Sequence, residues 1–159
     1  MLEVNSNKTE TNIAMPPGLV SVLEAEHAAG YGSGAAGAVL VKLQAPVTMI
    51  AAARGGLDAH RVSRDRLSDA IAALGGTPPG ALAAYQLPFA LTDPSAALRL
   101  VITLEDRLCG IAATAAGSTA GRSLSADILG AAAVRAARLR LLSGVPTGRA
   151  IIAFPGLPL

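Results

Sequence analysis

Eighteen residues from Gly75 to Thr92 contain Gly75, Gly76, Pro78, Pro79, Gly80 and Pro88, and no continuous helix survives such a run. On either side lies a long stretch that reads as two helices with only a minimal break between them. A short break makes neighbouring helices antiparallel, so each half is a hairpin. Eighteen extended residues reach up to ~60 Å, whereas a helix of about 27 residues is ~40 Å long. The linking segment can therefore run the length of a four-helix bundle. The alternative, an up-down bundle with a slack loop, is disfavoured because long structureless loops are uncommon within domains.

The first helix opens at Pro16-Pro17-Gly18 and extends to Lys42-Leu43, with Leu19, Leu23, Glu26, Gly30, Gly37 and Leu40 on one face. Glycines 30, 32, 34 and 37 each cost ~1 kcal/mol relative to alanine, a cost that close packing must offset. Pro46 suits the start of the second helix. That helix carries Val47, Ile50, Ala53, Leu57, His60, Arg64, Leu67, Ile71 and Leu74 at helical spacing and ends at Gly75-Gly76. Asp93-Pro94 caps the third helix, with Leu98, Val101, Ile102, Glu105, Leu108, Cys109 and Ala112 inward. A break at Gly117–Gly121 precedes a fourth helix, Leu124 to Leu142, closed by Ser143-Gly144. The expected fold is all-α: a ferritin-like four-helix bundle of two antiparallel hairpins joined by a long crossover between helices 2 and 3. Residues 1–15 read as a flexible arm and 16–148 as the bundle. The apolar tail 149–159 is expected to pack on the bundle or on a partner subunit.

Composition narrows the function classes. The chain has 34 alanines among 159 residues, two Tyr, two Phe and no Trp, which points to thin, closely approached helices. A formal charge of +2, few aromatics and no basic arm argue against nucleic-acid binding. Ala28–Val41 is too short for a membrane span, and Ala70–Thr92 is interrupted by glycine and proline, so no span is expected. Met1–Thr11 lacks the apolar stretch of a secretory signal, and a lone Cys109 fits a reducing compartment, so a cytoplasmic location is expected.

Three ionisable residues break the apolar stripes: Glu26, His60 and Glu105. An unpaired buried charge costs several kcal/mol, so these groups must pair with one another, pair with arginine, or hold a metal. Counted outward from the first turn, Glu26 and His60 differ in level by ~4–5 Å and can meet. Glu105 faces Ala131-Ala132-Ala133-Val134 on helix four, and Asp127 lies ~9 Å too near the turn. A di-iron carboxylate centre needs a glutamate from each of two helices and Glu-x-x-His from each of the others. Here Leu57 stands where the second-helix glutamate would be, and helix four has no histidine. Three of six ligands remain. Glu26, His60 and Glu105 would suit one iron, manganese or zinc ion. The simpler expectation is an ionic network of Glu26, His60, Arg61, Arg64 and Glu105, which Asp65 and Arg107 could extend, with no cofactor. His27 is expected at the rim, Tyr31 and Tyr85 as packing residues, Cys109 as an inert core thiol, and Arg135, Arg138 and Arg140 on a solvated face.

Several segments together resemble an actinobacterial, alanine-rich, ferritin-like domain of unknown function. They are Glu26-His27-Ala28-Ala29-Gly30-Tyr31-Gly32, His60-Arg61-Val62-Ser63-Arg64-Asp65-Arg66-Leu67, Gly76-Thr77-Pro78-Pro79 with Ala84-Tyr85, Leu104-Glu105, Ala132-Ala133-Val134-Arg135 and Phe154-Pro155-Gly156-Leu157-Pro158. The resemblance covers the chain beyond residue 16. It implies a ferritin-like bundle, dimeric, without an established activity. Three readings follow: a non-catalytic bundle that self-associates as a homodimer, a mononuclear metalloprotein, and a small-molecule binder in the vacated inter-helix site.

Overall fold

The computed structural model describes residues 16–153 and 155. The expected arm and most of the tail beyond Ala153 lie outside the described residues. Four long helices, α1 (Pro17–Lys42), α2 (Val47–Ala73), α3 (Pro94–Ala116) and α4 (Arg122–Leu142), are followed by a single turn, α5 (Thr147–Ala150). Among the described residues there is no strand. None of the described helices is long and apolar enough to cross a membrane.

The helix ends follow local chemistry. The Asp93 carboxylate accepts from the Ala96 amide at 2.9 Å, which satisfies one of the donors exposed at the start of α3. Gly75, at φ 80°, turns the chain out of α2 while the Gly76 amide reaches back to the Ile71 carbonyl at 3.0 Å. The fourth helix begins two residues before its expected start, and α5 was not anticipated because a four-residue turn has no apolar repeat to reveal it.

Small residues set the helix approaches. A Cβ at Gly32 would collide with the Leu104 side chain, and Gly18 lies against Ala115, so α1 and α3 run antiparallel in close contact. Gly30 faces His60, and Gly37 faces Ala53, which makes α1 antiparallel to α2 as well. The glycines that weaken α1 as an isolated helix thus permit its packing. The Glu105–Arg135 and Asp106–Arg140 pairs join α3 to α4. The α2–α4 seam is the loosest side of the bundle, bridged at one point by an exposed Arg66–Asp127 pair at 3.2 Å.

The apolar interior falls into two layers. Leu19, Val22, Leu23, Leu67, Ile71, Leu108 and Ile128 build one, near the start of α1. Leu40, Ala53, Leu98, Leu100, Val101 and Leu139 build the other, near the α1–α2 turn. Glu26, His60 and Glu105 lie between them in sequence on their helices, and each is 1% exposed.

Candidate functional site

Glu26, His60 and Glu105 meet. His60 Nδ1 donates to Glu26 Oε2 at 2.7 Å, and its Nε2 stands 3.5 Å from Glu105 Oε1, an ion-pair contact rather than a formed hydrogen bond. Glu105 is gripped from α4. Arg135 Nε donates to Oε1 at 2.6 Å and Nη2 to Oε2 at 2.9 Å, the two-pronged geometry in which arginine matches a carboxylate best. The result is a chain of alternating charge, Glu26–His60–Glu105–Arg135, with one member from each long helix.

The charges hold one another in place. Burial disfavours the imidazolium, but the flanking carboxylates outweigh burial and raise His60 from 6.5 to about 9. At neutral pH both ring nitrogens therefore carry protons. Burial also disfavours the Glu105 anion, yet His60 and Arg135 outweigh it and keep its carboxyl below the ordinary value. The Arg135 cation is disfavoured by burial and restored by Glu105.

Arg135 corrects two sequence-based expectations. Arg64 and Arg61 were expected to neutralise the buried carboxylates. Instead Arg64 pairs with its neighbour Asp65 at 3.0 Å and Arg61 with Asp58 at 3.2 Å, both on the surface. They border a recess of about 230 Å³ beside Glu26, His60 and Tyr85, but neither bonds Glu26 or Glu105. Asp65 is spent on Arg64, and Arg107 is exposed. Secondly, Arg135 and Arg140 do not belong to a solvated face: their side chains are only 18% and 12% exposed, and Arg140 holds Asp106 at 2.6 Å. Helical side chains lean toward the N-terminus of their own helix, so a long residue covers the turn before its Cα. Arg135 thereby delivers its guanidinium to the level where counting Cα positions found only alanine and valine. Its spacing from Ile128 and Ala132, seven and three residues, was the available signal.

His27 is half-buried, and its Nε2 lies 3.1 Å from the Pro79 carbonyl, pinning the 74–93 segment against α1. Tyr31 and Tyr85 pack together with ring centroids 5.4 Å apart and planes tilted by 50°. The Cys109 thiol is pushed up to about 11 by burial and the charges of Asp106 and Glu105, which leaves it unreactive.

As metal ligands, the trio is compromised in this arrangement. Both Glu105 oxygens accept from Arg135, and His60 Nδ1 and Glu26 Oε2 are spent on each other. Among the described residues no three His, Cys, Asp or Glu side chains are placed to hold an ion. Glu26 Oε1 and His60 Nε2 are the two atoms of the trio left without a hydrogen-bond partner.

A sequence profile described as a domain of unknown function (DUF4439) matches residues 18–159. No curated protein matches. A crystal structure of a conserved hypothetical protein, rv2844, from Mycobacterium tuberculosis is similar at 27% identity with a TM-score of 0.72, covering 79% of this chain and 94% of that one.

Proposed function

We propose a non-catalytic role for this chain, which belongs to the DUF4439 family of domains of unknown function: a ferritin-like bundle that self-associates as a homodimer, its di-iron site degenerate and replaced by salt bridges. The observation that carries this reading is the Arg135 fork on Glu105, which places a fixed cation against a buried carboxylate that would otherwise need a metal. The ferritin-like connectivity is supported by helix direction. Both α2 and α3 oppose α1, so the 74–93 segment has the length of the bundle to travel. Self-association is supported by exposed Val134 and Leu141 on α4 beside Ile151 in the tail, which line one shallow apolar groove. The buried, unreactive Cys109 suits a cytoplasmic location.

One observation favours a second reading. Glu26 Oε1 and His60 Nε2 are buried without hydrogen-bond partners, so a single iron, manganese or zinc ion held by Glu26, His60 and Glu105 would satisfy them if Arg135 swung away. Elemental analysis of protein purified without chelator, followed by iron and manganese titration, separates the two. The salt-bridge reading expects substoichiometric metal; stoichiometric metal lost on Glu26→Ala or His60→Ala overturns it. Sedimentation equilibrium tests the dimer, and a Leu141→Asp chain that stays as associated as the parent removes the α4 groove as its interface.

A further inference from the structure

Where α2 and α4 fail to close on one another, a pocket of about 390 Å³ opens beside the ionic chain. That volume lies within the range of small-molecule sites. Its apolar wall comes from Ala52, Val101, Leu139 and Leu142, and its charged end from Glu105, Arg135 and Arg138. On the α2 side the pocket is lined by Ala52, Gly55 and Gly56, and a Cβ at Gly56 would face Ser33 Oγ of α1 rather than α4. A Cβ at Gly55 would meet nothing within 4 Å.

The charges at that end do not balance. Arg135 and Arg138 contribute two positive charges and Glu105 one negative, which leaves one cation in excess; Glu26 and His60 behind them cancel. Glu105 occupies Nε and Nη2 of Arg135, leaving Nη1 uncommitted. Arg138 sits three residues further along α4, on the same side, exposed and without an ion pair among the described residues. Two guanidinium groups at the mouth of an apolar slot match an amphipathic anion. One excess charge matches a monoanion, because a dianion would also face the Glu105 carboxylate. We propose that this pocket binds an aliphatic monocarboxylate. Its head accepts from Arg135 Nη1 and Arg138, while its tail lies along Ala52, Val101, Leu139 and Leu142. The inference shares Arg135 with the ionic chain but not its conclusion: metal analysis decides one and carboxylate titration the other.

Calorimetric titration of the full chain with sodium octanoate tests it, with octan-1-ol and octyl phosphate as comparison probes. Octanoate is expected to bind one per chain, octanol not to bind, and octyl phosphate to bind more weakly than octanoate. Arg138→Ala should weaken octanoate by about tenfold or more, as expected for loss of a charge-assisted bond. Gly55→Leu should abolish binding, with helical content by circular dichroism unchanged because the new side chain enters open space. Absence of octanoate binding, or binding that survives Gly55→Leu undiminished, overturns the proposal. Tighter binding of octyl phosphate than octanoate overturns the monoanion assignment.

Discussion

Near the start of α1, Leu19, Leu23, Leu67, Ile71, Leu108 and Ile128 fill the space between all four helices. Near the α1–α2 turn, Ala36, Ala53 and Ala97 share the interior with Leu40, Leu98 and Leu100, and the α2–α4 seam stays open around Gly55. Both layers are built by the same four helices and are separated by the same ionic chain. The difference lies in what faces what. Where large branched side chains come from every helix, packing closes; where α2 offers glycine and alanine, a cavity remains. The large-residue layer therefore carries the packing stability, and the small-residue layer leaves room for a ligand.

Four expected outcomes test this contrast, and urea unfolding midpoints measure them all. The largest effect belongs to the divide itself. Arg135→Ala should cost about 3–5 kcal/mol, because it strands Glu105 as a buried anion beside a single loose partner. A loss comparable to that of an exposed pair, below ~1 kcal/mol, would mean that the chain does not hold the layers together. Leu67→Ala in the closed layer should cost about 2–5 kcal/mol, since its neighbours cannot collapse into the void.

The third outcome concerns pH. The folded value of His60, about 9, lies above the unfolded 6.5, so its stabilisation is complete below pH 6.5 and lost as pH rises through about 9. The loss should amount to about 3 kcal/mol at ~1.4 kcal/mol per unit. Glu105 works in the opposite sense: its carboxyl is held below the ordinary value, so its share is lost as pH falls into the acid range. Together they place maximum stability in the mildly acidic region, and His60→Gln should flatten the alkaline limb between pH 6.5 and 9. Gly55→Ala, on the open side, should produce the smallest change, a gain of up to ~1 kcal/mol from helix propensity alone. A loss there would show that the seam is tighter than its geometry.

Helix existence and type were legible because they rest on local rules. Asp93-Pro94 starts α3, Gly75 ends α2, and the stripe from Leu67 through Ile71 faces inward, all as periodicity and capping require. The convergence of Glu26, His60 and Glu105 was legible for the same reason, since helical rise converts sequence separation into level. Two things were not. Arg61 and Arg64 were nearer in sequence to the buried histidine, yet Asp58 and Asp65 hold them outside. Arg135 is half-buried and turned inward to Glu105, although an arginine near a helix end ordinarily faces water. Its partner lies across the bundle, and its reach depends on a side-chain direction that spacing alone does not convey.

By itself the sequence determined that the chain makes four long helices, where they begin and end to within two residues, and that three ionisable groups would be buried among alanines, because backbone propensity, caps and apolar periodicity act over a few residues. Only the tertiary structure decided which cation answers Glu105 and which seam stays open. Those outcomes depend on distances between helices, where a guanidinium reaching from α4 to Glu105 and a glycine beside an open seam weigh more than any local preference.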